Sequence, residues 1–192
     1  MDFADLAPSV AVDVTGCPTF TIEEALREAA IDFCERGHAY VHEMDEVPAE
    51  EELLLELPSR TRLVDVLYVT SDREPLDPIH RSDLRGFARG YTRISDRALR
   101  LHGVSGSTIS VRLAVAPLPT ATSIPDEIGY RWHRAFVAGA KHRLMIKPGL
   151  PWSNPALAEF YRNEFEVELN RAMLRASQDG VLAKRRVRMR SP

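Results

Sequence analysis

No run of about eighteen apolar residues occurs in this 192-residue chain. A helix needs roughly that many to cross a bilayer, so neither a membrane span nor a membrane partner is expected. Cysteine is scarce as well, with only Cys17 and Cys34. The first residues, Met1-Asp-Phe-Ala-Asp-Leu6, carry neither the basic start nor the apolar block of an export signal. The expectation is an intracellular chain with two reduced thiols rather than a disulfide.

Chemical signatures are equally thin. There is no G-x-S-x-G elbow, Walker loop, G-x-G-x-x-G turn or Cys/His nucleophile pattern. The glycine pairs Gly86/Gly90 and Gly103/Gly106 lack the strand-to-helix setting that cradles phosphate. Of the six histidines, His38 and His42 share a potential strand face, but without cysteine or carboxylate neighbours at a zinc spacing. His133 and His142 suit surface or interface roles. An enzyme is not expected, nor any cofactor or metal.

What is present is ordinary in bulk and lopsided in detail. Hydrophobic residues make up 44% and charged residues 28%, with a net charge of −3. Between Glu43 and Glu56 stand seven acids (Glu43, Asp45, Glu46, Glu50, Glu51, Glu52 and Glu56) and no base. The end of the chain reverses this, with Lys184, Arg185, Arg186, Arg188 and Arg190 and no acid. Each run reads either as a solvated face or as one half of a contact between subunits.

The pattern of elements predicts an α+β chain: a mainly helical three-helix core with a small antiparallel β-rich insertion. Residues 1–18 have no clear period and read as an extended lead-in. Residues 19–38 and 122–180 form the helical core, residues 39–121 the insertion, and residues 181–192 a basic tail. The first helix is predicted to begin at Thr21, paired with Glu24 as a capping box, and to stop at Gly37. Its stripe is Ile22, Ala25, Leu26, Ala29 and Phe33.

In the insertion, 39–44 and 53–57 each read as a strand, with an acidic turn near Pro48 between them. Residues 62–70 give the clearest strand, being rich in β-branched residues. Residues 97–101 and 108–115 read as two more, joined through the turn residues Gly103 to Gly106. A short helical turn is expected over 80–87, before a break at Gly90-Tyr91.

A helical hairpin follows. Its corner, Lys147-Pro-Gly-Leu-Pro-Trp-Ser-Asn-Pro155, stops one helix and starts another, with Asn154 at the N-cap and Pro155 at the first helical position. Trp152, held between Pro151 and Pro155, is predicted to pack into the three-helix core. In the last helix Leu157, Tyr161, Phe165, Leu169 and Met173 recur every four residues, and Phe160 and Ala172 widen that stripe. Glu159, Arg162, Glu166 and Arg171 lie off it, as candidates for a subunit interface or a channel lining. Glu43, Asp45, Glu46, Glu50, Glu51 and Glu52 are candidates for the same role.

Several pieces in a fixed order suggest a family. Gly16-Cys-Pro18 precedes an Ile-x-x-Ala-Leu-Arg-x-Ala-Ala-Ile-x-Phe-Cys helix (Ile22 to Cys34). Then come Ala114-Val-Ala-Pro117, Ile124-Pro-Asp126, Gly139-Ala140, Pro151-Trp-Ser-Asn-Pro155 and Phe160-Tyr-Arg-x-x-Phe165. In this order they resemble the head–tail connector (adaptor) proteins of tailed double-stranded-DNA bacteriophages, over roughly residues 15–178.

The resemblance implies a structural virion protein at the neck, assembled in the host cytoplasm. It would form a homo-oligomeric ring, typically of twelve copies, between the portal and the next tail or stopper protein, with genomic DNA passing through the lumen. It also implies that the C-terminal segment reaches the portal, making Leu182, Lys184, Arg185, Arg186, Val187, Arg188, Met189 and Arg190 the candidate portal-binding residues. Acidic side chains lining such a channel would repel the DNA backbone, whereas basic ones would retain it. The rival reading is a DNA-binding protein that uses the same basic tail.

Overall fold

The computed structural model describes residues 1–79, 89–104 and 108–181. Two helices open the chain, α1 (Phe3–Ala11) and α2 (Thr19–Gly37). Eight strands follow among the described residues: β1 (Val41–Pro48), β2 (Glu52–Leu54), β3 (Thr61–Ser71), β4 (Glu74–Pro75), β5 (Asp77–Pro78), β6 (Gly90–Ser95), β7 (Ala98–His102) and β8 (Thr108–Pro117). Two long helices, α3 (Asp126–Met145) and α4 (Pro155–Val181), close it.

The strands build two four-stranded sheets, in the orders β1-β8-β3-β4 and β2-β7-β6-β5. All neighbours are antiparallel except the short β5–β6 pair. The predicted mainly helical core with a small insertion is therefore incorrect. Helices at both ends of the chain flank a sheet-rich middle, and one hydrophobic cluster joins sheet residues such as Leu99, Ile109 and Leu113 to helix residues such as Phe33 and Leu169.

Three local features account for the difference. The lead-in is not extended. Phe3, Leu6, Ala7 and Val10 form a buried stripe at helical spacing, although Pro8 lies within the helix and obscures its period. The chain start is pinned from outside α1: the Phe3 amide donates to the Thr122 carbonyl at 3.1 Å, and the Ile124 amide to that of Met1 at 3.0 Å.

Gly90 is not a break. A Cβ there would collide with the Asp77 carbonyl oxygen, so glycine is what lets the β5 backbone lie beside β6. The segments predicted as neighbours also separate. β1 pairs with β8, and β2 with β7, in different sheets, so the acidic stretch crosses from one sheet to the other rather than forming a hairpin turn.

β8 is one of the two inner strands of its sheet. Ile109, Val111, Leu113 and Val115 are buried along one face, while Ala114 and Ala116 are buried on the other. This end of the strand is thus covered on both sides, and α2 packs against it. An ion pair between Arg62 on β3 and Glu35 on α2 ties the same layers at the surface.

Helix ends differ in detail from the expectation. α2 starts two residues before Thr21, with Pro18 as its N-cap (φ −62°, ψ 140°) and no side-chain capping bond. Its left-handed terminal residue is His38 (φ 48°), not Gly37. Gly37 stays helical, and α4 passes close to it: a Cβ there would lie 3.1 Å from Ala172 Cβ and 3.1 Å from Leu169 Cδ1.

α3 runs antiparallel to both α2 and α4, as shown by the partners Gly139–Ala29, Arg143–Glu28, Arg134–Glu164 and His142–Ala158. At their centre Phe33 is fully buried, with ring centroids 5.2 Å from Trp132, 5.6 Å from Phe136 and 5.6 Å from Phe165. α3 is kinked at Trp132 (φ −111°, ψ 16°).

The core tryptophan is thus Trp132. Trp152 is half-buried and packs against the margin of the cluster with its indole Nε1 buried, so the expectation is met only in part. It sits in the turn after Gly149, whose left-handed backbone (φ 78°) turns the chain out of α3.

Candidate functional site

The corner between α3 and α4 is closed by the backbone. The Asn154 amide donates to the Met145 carbonyl at 2.9 Å, and the Ser153 amide to that of Leu150 at 3.0 Å. The Asn154 side-chain oxygen then accepts the Leu157 amide at 3.2 Å, capping α4, with Pro155 as its first residue. Pro151 is exposed in the same turn.

A second tie holds the α1–α2 turn to the hairpin. Lys141, nearly buried on α3, places its Nζ 2.6 Å from Asp13 Oδ2 and 4.9 Å from the centroid of the Tyr161 ring. The Tyr161 hydroxyl donates to the same Asp13 oxygen at 2.9 Å. Hydrogen bonds from Lys141 and Tyr161 hold the Asp13 carboxyl below the usual range. Burial, then the bond to Asp13, pushes the Tyr161 phenol up to about 12. Burial likewise raises both thiols, Cys34 in the core and Cys17 at its edge, and both are free.

The charged residues singled out in the sequence fall into two groups. On the sheets, Glu43 is paired with Arg112 at 2.6 Å. Asp45 and Glu46 are exposed at a register break in β1, where Glu46 takes a left-handed conformation (φ 55°). Glu50, Glu51 and Glu52 are exposed where the chain passes to the second sheet, with Glu52 opposite Arg100.

On α4, Glu159 pairs with Arg162 at 2.6 Å, and Arg171 with Glu168 at 2.5 Å. Glu166 instead reaches across the surface to α2, accepting two bonds of 2.8 Å from Arg36. The acidic strand and the α4 charges are not gathered into one constellation. The segments 80–88 and 182–190, which hold the expected helical turn and the candidate portal-binding residues, lie outside the described residues.

α4 has a feature that the sequence pattern did not reveal. Ala158, Phe165, Leu169 and Ala172 face the core, while Phe160 (54% exposed), Val167 (51%) and Leu174 (61%) face away from it. They recur every seven residues, within about 40° of one another on a wheel of 3.6 residues per turn. Phe160 and Val167 line an open groove with Arg134, Asn163, Glu164 and Arg171. Tyr130 on α3 and Phe20 on α2 are also largely exposed, at 72% and 73%.

The described histidines are dispersed. His42 contacts the Glu56 carbonyl, His102 the Thr92 hydroxyl, His133 the Ser9 hydroxyl and His142 the Ala158 carbonyl. Among the described residues no three His, Cys, Asp or Glu side chains come together as a metal site would require, and no helix is long and apolar enough to cross a membrane.

Compared with known protein families and with curated proteins, the chain matches none.

Proposed function

We propose that this chain is a head–tail adaptor of a tailed double-stranded-DNA bacteriophage: a structural subunit that joins a ring beneath the portal and links it to the next tail component. One observation carries the reading. Several residues of the likeness, scattered over some 150 positions of sequence, meet in the contacts of a single packed unit, while others, such as Phe160 and Pro151, are exposed. Cys17-Pro18 leads into α2, and Phe33 is the aromatic centre of the helix crossing. Gly139 lies where α2 and α4 come so near that a Cβ would stand within 3 Å of both Ala29 and Phe165. Ala114 and Ala116 are the buried residues of β8 beside that unit, and Pro151 to Pro155 form the corner that turns α3 into α4.

The physics of a ring subunit agrees with the exposed surface. Closed rings use two different faces per subunit. The long α3–α4 pair supplies a stiff rod, with apolar and charged residues on its outer side. In this reading the exposed acids of β1 and β2 face the lumen or a neighbour, the genomic DNA passes without adhering, and residues 182–190 reach the portal.

Purified chain mixed with purified portal rings tests the proposal by light scattering and negative-stain imaging. A complex with a fixed subunit stoichiometry is expected. Truncation of residues 182–192 should leave the fold intact and abolish that complex at low salt. Failure of the intact chain to bind portal, together with retention on DNA through the same tail, would favour the DNA-binding reading instead.

A further inference from the structure

The outward stripe of α4 has a charge order that fits one particular occupant. Along the helix it reads Phe160, Glu164, Val167, Arg171, Leu174, with Asn163 and Asn170 on its other edge. Val167 is the midpoint, Phe160 and Leu174 stand seven residues to either side, and the acid and the base lie one on each side of the centre. We infer that this stripe pairs with the same stripe of a second copy of the chain, antiparallel, about a two-fold axis passing beside Val167.

Such an axis keeps each edge of one helix beside the same edge of its partner while reversing direction. Glu164 of one copy then lies beside Arg171 of the other, and the reciprocal pair forms on the far side of the axis. Phe160 packs on Leu174, Val167 on Val167, and Asn163 beside Asn170. A parallel two-fold pair would bring opposite edges together, setting Glu164 against Asn163 and Arg171 against Asn170, with no charge matched. Complementarity of this kind selects register and partner more than it adds affinity.

Glu164 is already 2.9 Å from Arg134, and Arg171 is 2.5 Å from Glu168. The cross-pairs therefore extend existing ion pairs instead of burying lone charges. The stripe runs about 21 Å, fourteen residues at 1.5 Å each. A single helix face of that length falls short of the roughly 1,200 Å² of a stable complex, so the association is weak and concentration-dependent. Neighbours in a ring are related by rotation about one axis, never by this antiparallel two-fold. The pair thus belongs to the free chain and is independent of the adaptor reading.

Sedimentation of the full chain without portal, up to about 1 mM, tests it. The weight-average mass should climb from 21.6 kDa toward twice that value and no further. Val167→Asp, at an exposed position, should abolish the rise while leaving circular dichroism and Tm unchanged. E164R alone or R171E alone should weaken association at least tenfold, because like charges then meet twice across the axis. Mixing those two variants should restore it, since every edge contact in the mixed pair joins Arg to Glu. A chain that remains monomeric throughout, or two variants that do not recover on mixing, would overturn the inference, whatever the outcome with portal.

Discussion

Replacing Gly139 by alanine sets two effects of opposite sign against each other. In a free helix the change is favourable by about 1 kcal/mol, because alanine loses less backbone entropy than glycine. Here the new Cβ would stand 2.8 Å from Phe165 Cδ2 and 2.9 Å from Ala29 Cβ. Ordinary carbon contacts begin near 3.5 Å, so α2 and α4 would each have to withdraw by roughly 0.6 Å. Neither neighbour is a flexible tip. Ala29 is fully buried on α2, and Phe165 is 4% exposed with its edge against Phe33.

Overpacking of this kind costs about 1–3 kcal/mol. With neighbours on both sides the upper end applies, which leaves a net loss of about 1–2 kcal/mol. At roughly 2–4 °C per kcal/mol for a chain of this size, Tm should fall by about 2–8 °C. Thermal and urea unfolding followed by circular dichroism would read the change. Pairing Gly139→Ala with Ala29→Gly reopens one side, so the double variant should be more stable than the sum of its parts predicts. A Tm equal to or above that of the unaltered protein would refute the close three-helix crossing.

Two further outcomes follow from the same geometry. Trp132→Ala should cost about 3–5 kcal/mol, whereas Trp152→Ala, at the margin of the cluster, should cost about 1–2 kcal/mol; equal losses in urea unfolding would contradict the placement of the two rings. Asp13→Asn leaves the nearly buried Lys141 without its counter-ion and should cost about 1–2 kcal/mol at neutral pH, allowing for the part-exposed carboxylate. Because the folded Asp13 carboxyl titrates below its ordinary value of 3.8, its contribution is complete above that value and disappears as pH falls through the lowered one. The Tm gap between the two proteins should therefore close in strong acid. A gap that is constant with pH would remove the ion pair from the account.

Short-range signals determined a good deal of this protein. The proline–glycine corner, the Asn154 cap, the strand over 62–70 and the apolar residues of α2 are legible because backbone sterics and neighbouring residues decide them.

What lay beyond the sequence was everything set by distant partners. Gly37 looked like a helix end, but it is a contact residue beside Leu169 and Ala172, and the left-handed turn falls at His38. Gly90 looked like a break until the β5 backbone lay beside it. Strand patterns carry no label for their partners, so the assignment of β1 to β8 and β2 to β7 needed the folded sheets. On α4, counting in fours put Leu157, Phe160 and Met173 with the core and overlooked Val167 and Leu174. Only the positions of α2 and α3 decide which apolar stripe is covered, and they cover Ala158, Phe165, Leu169 and Ala172, leaving Phe160, Val167 and Leu174 facing outward.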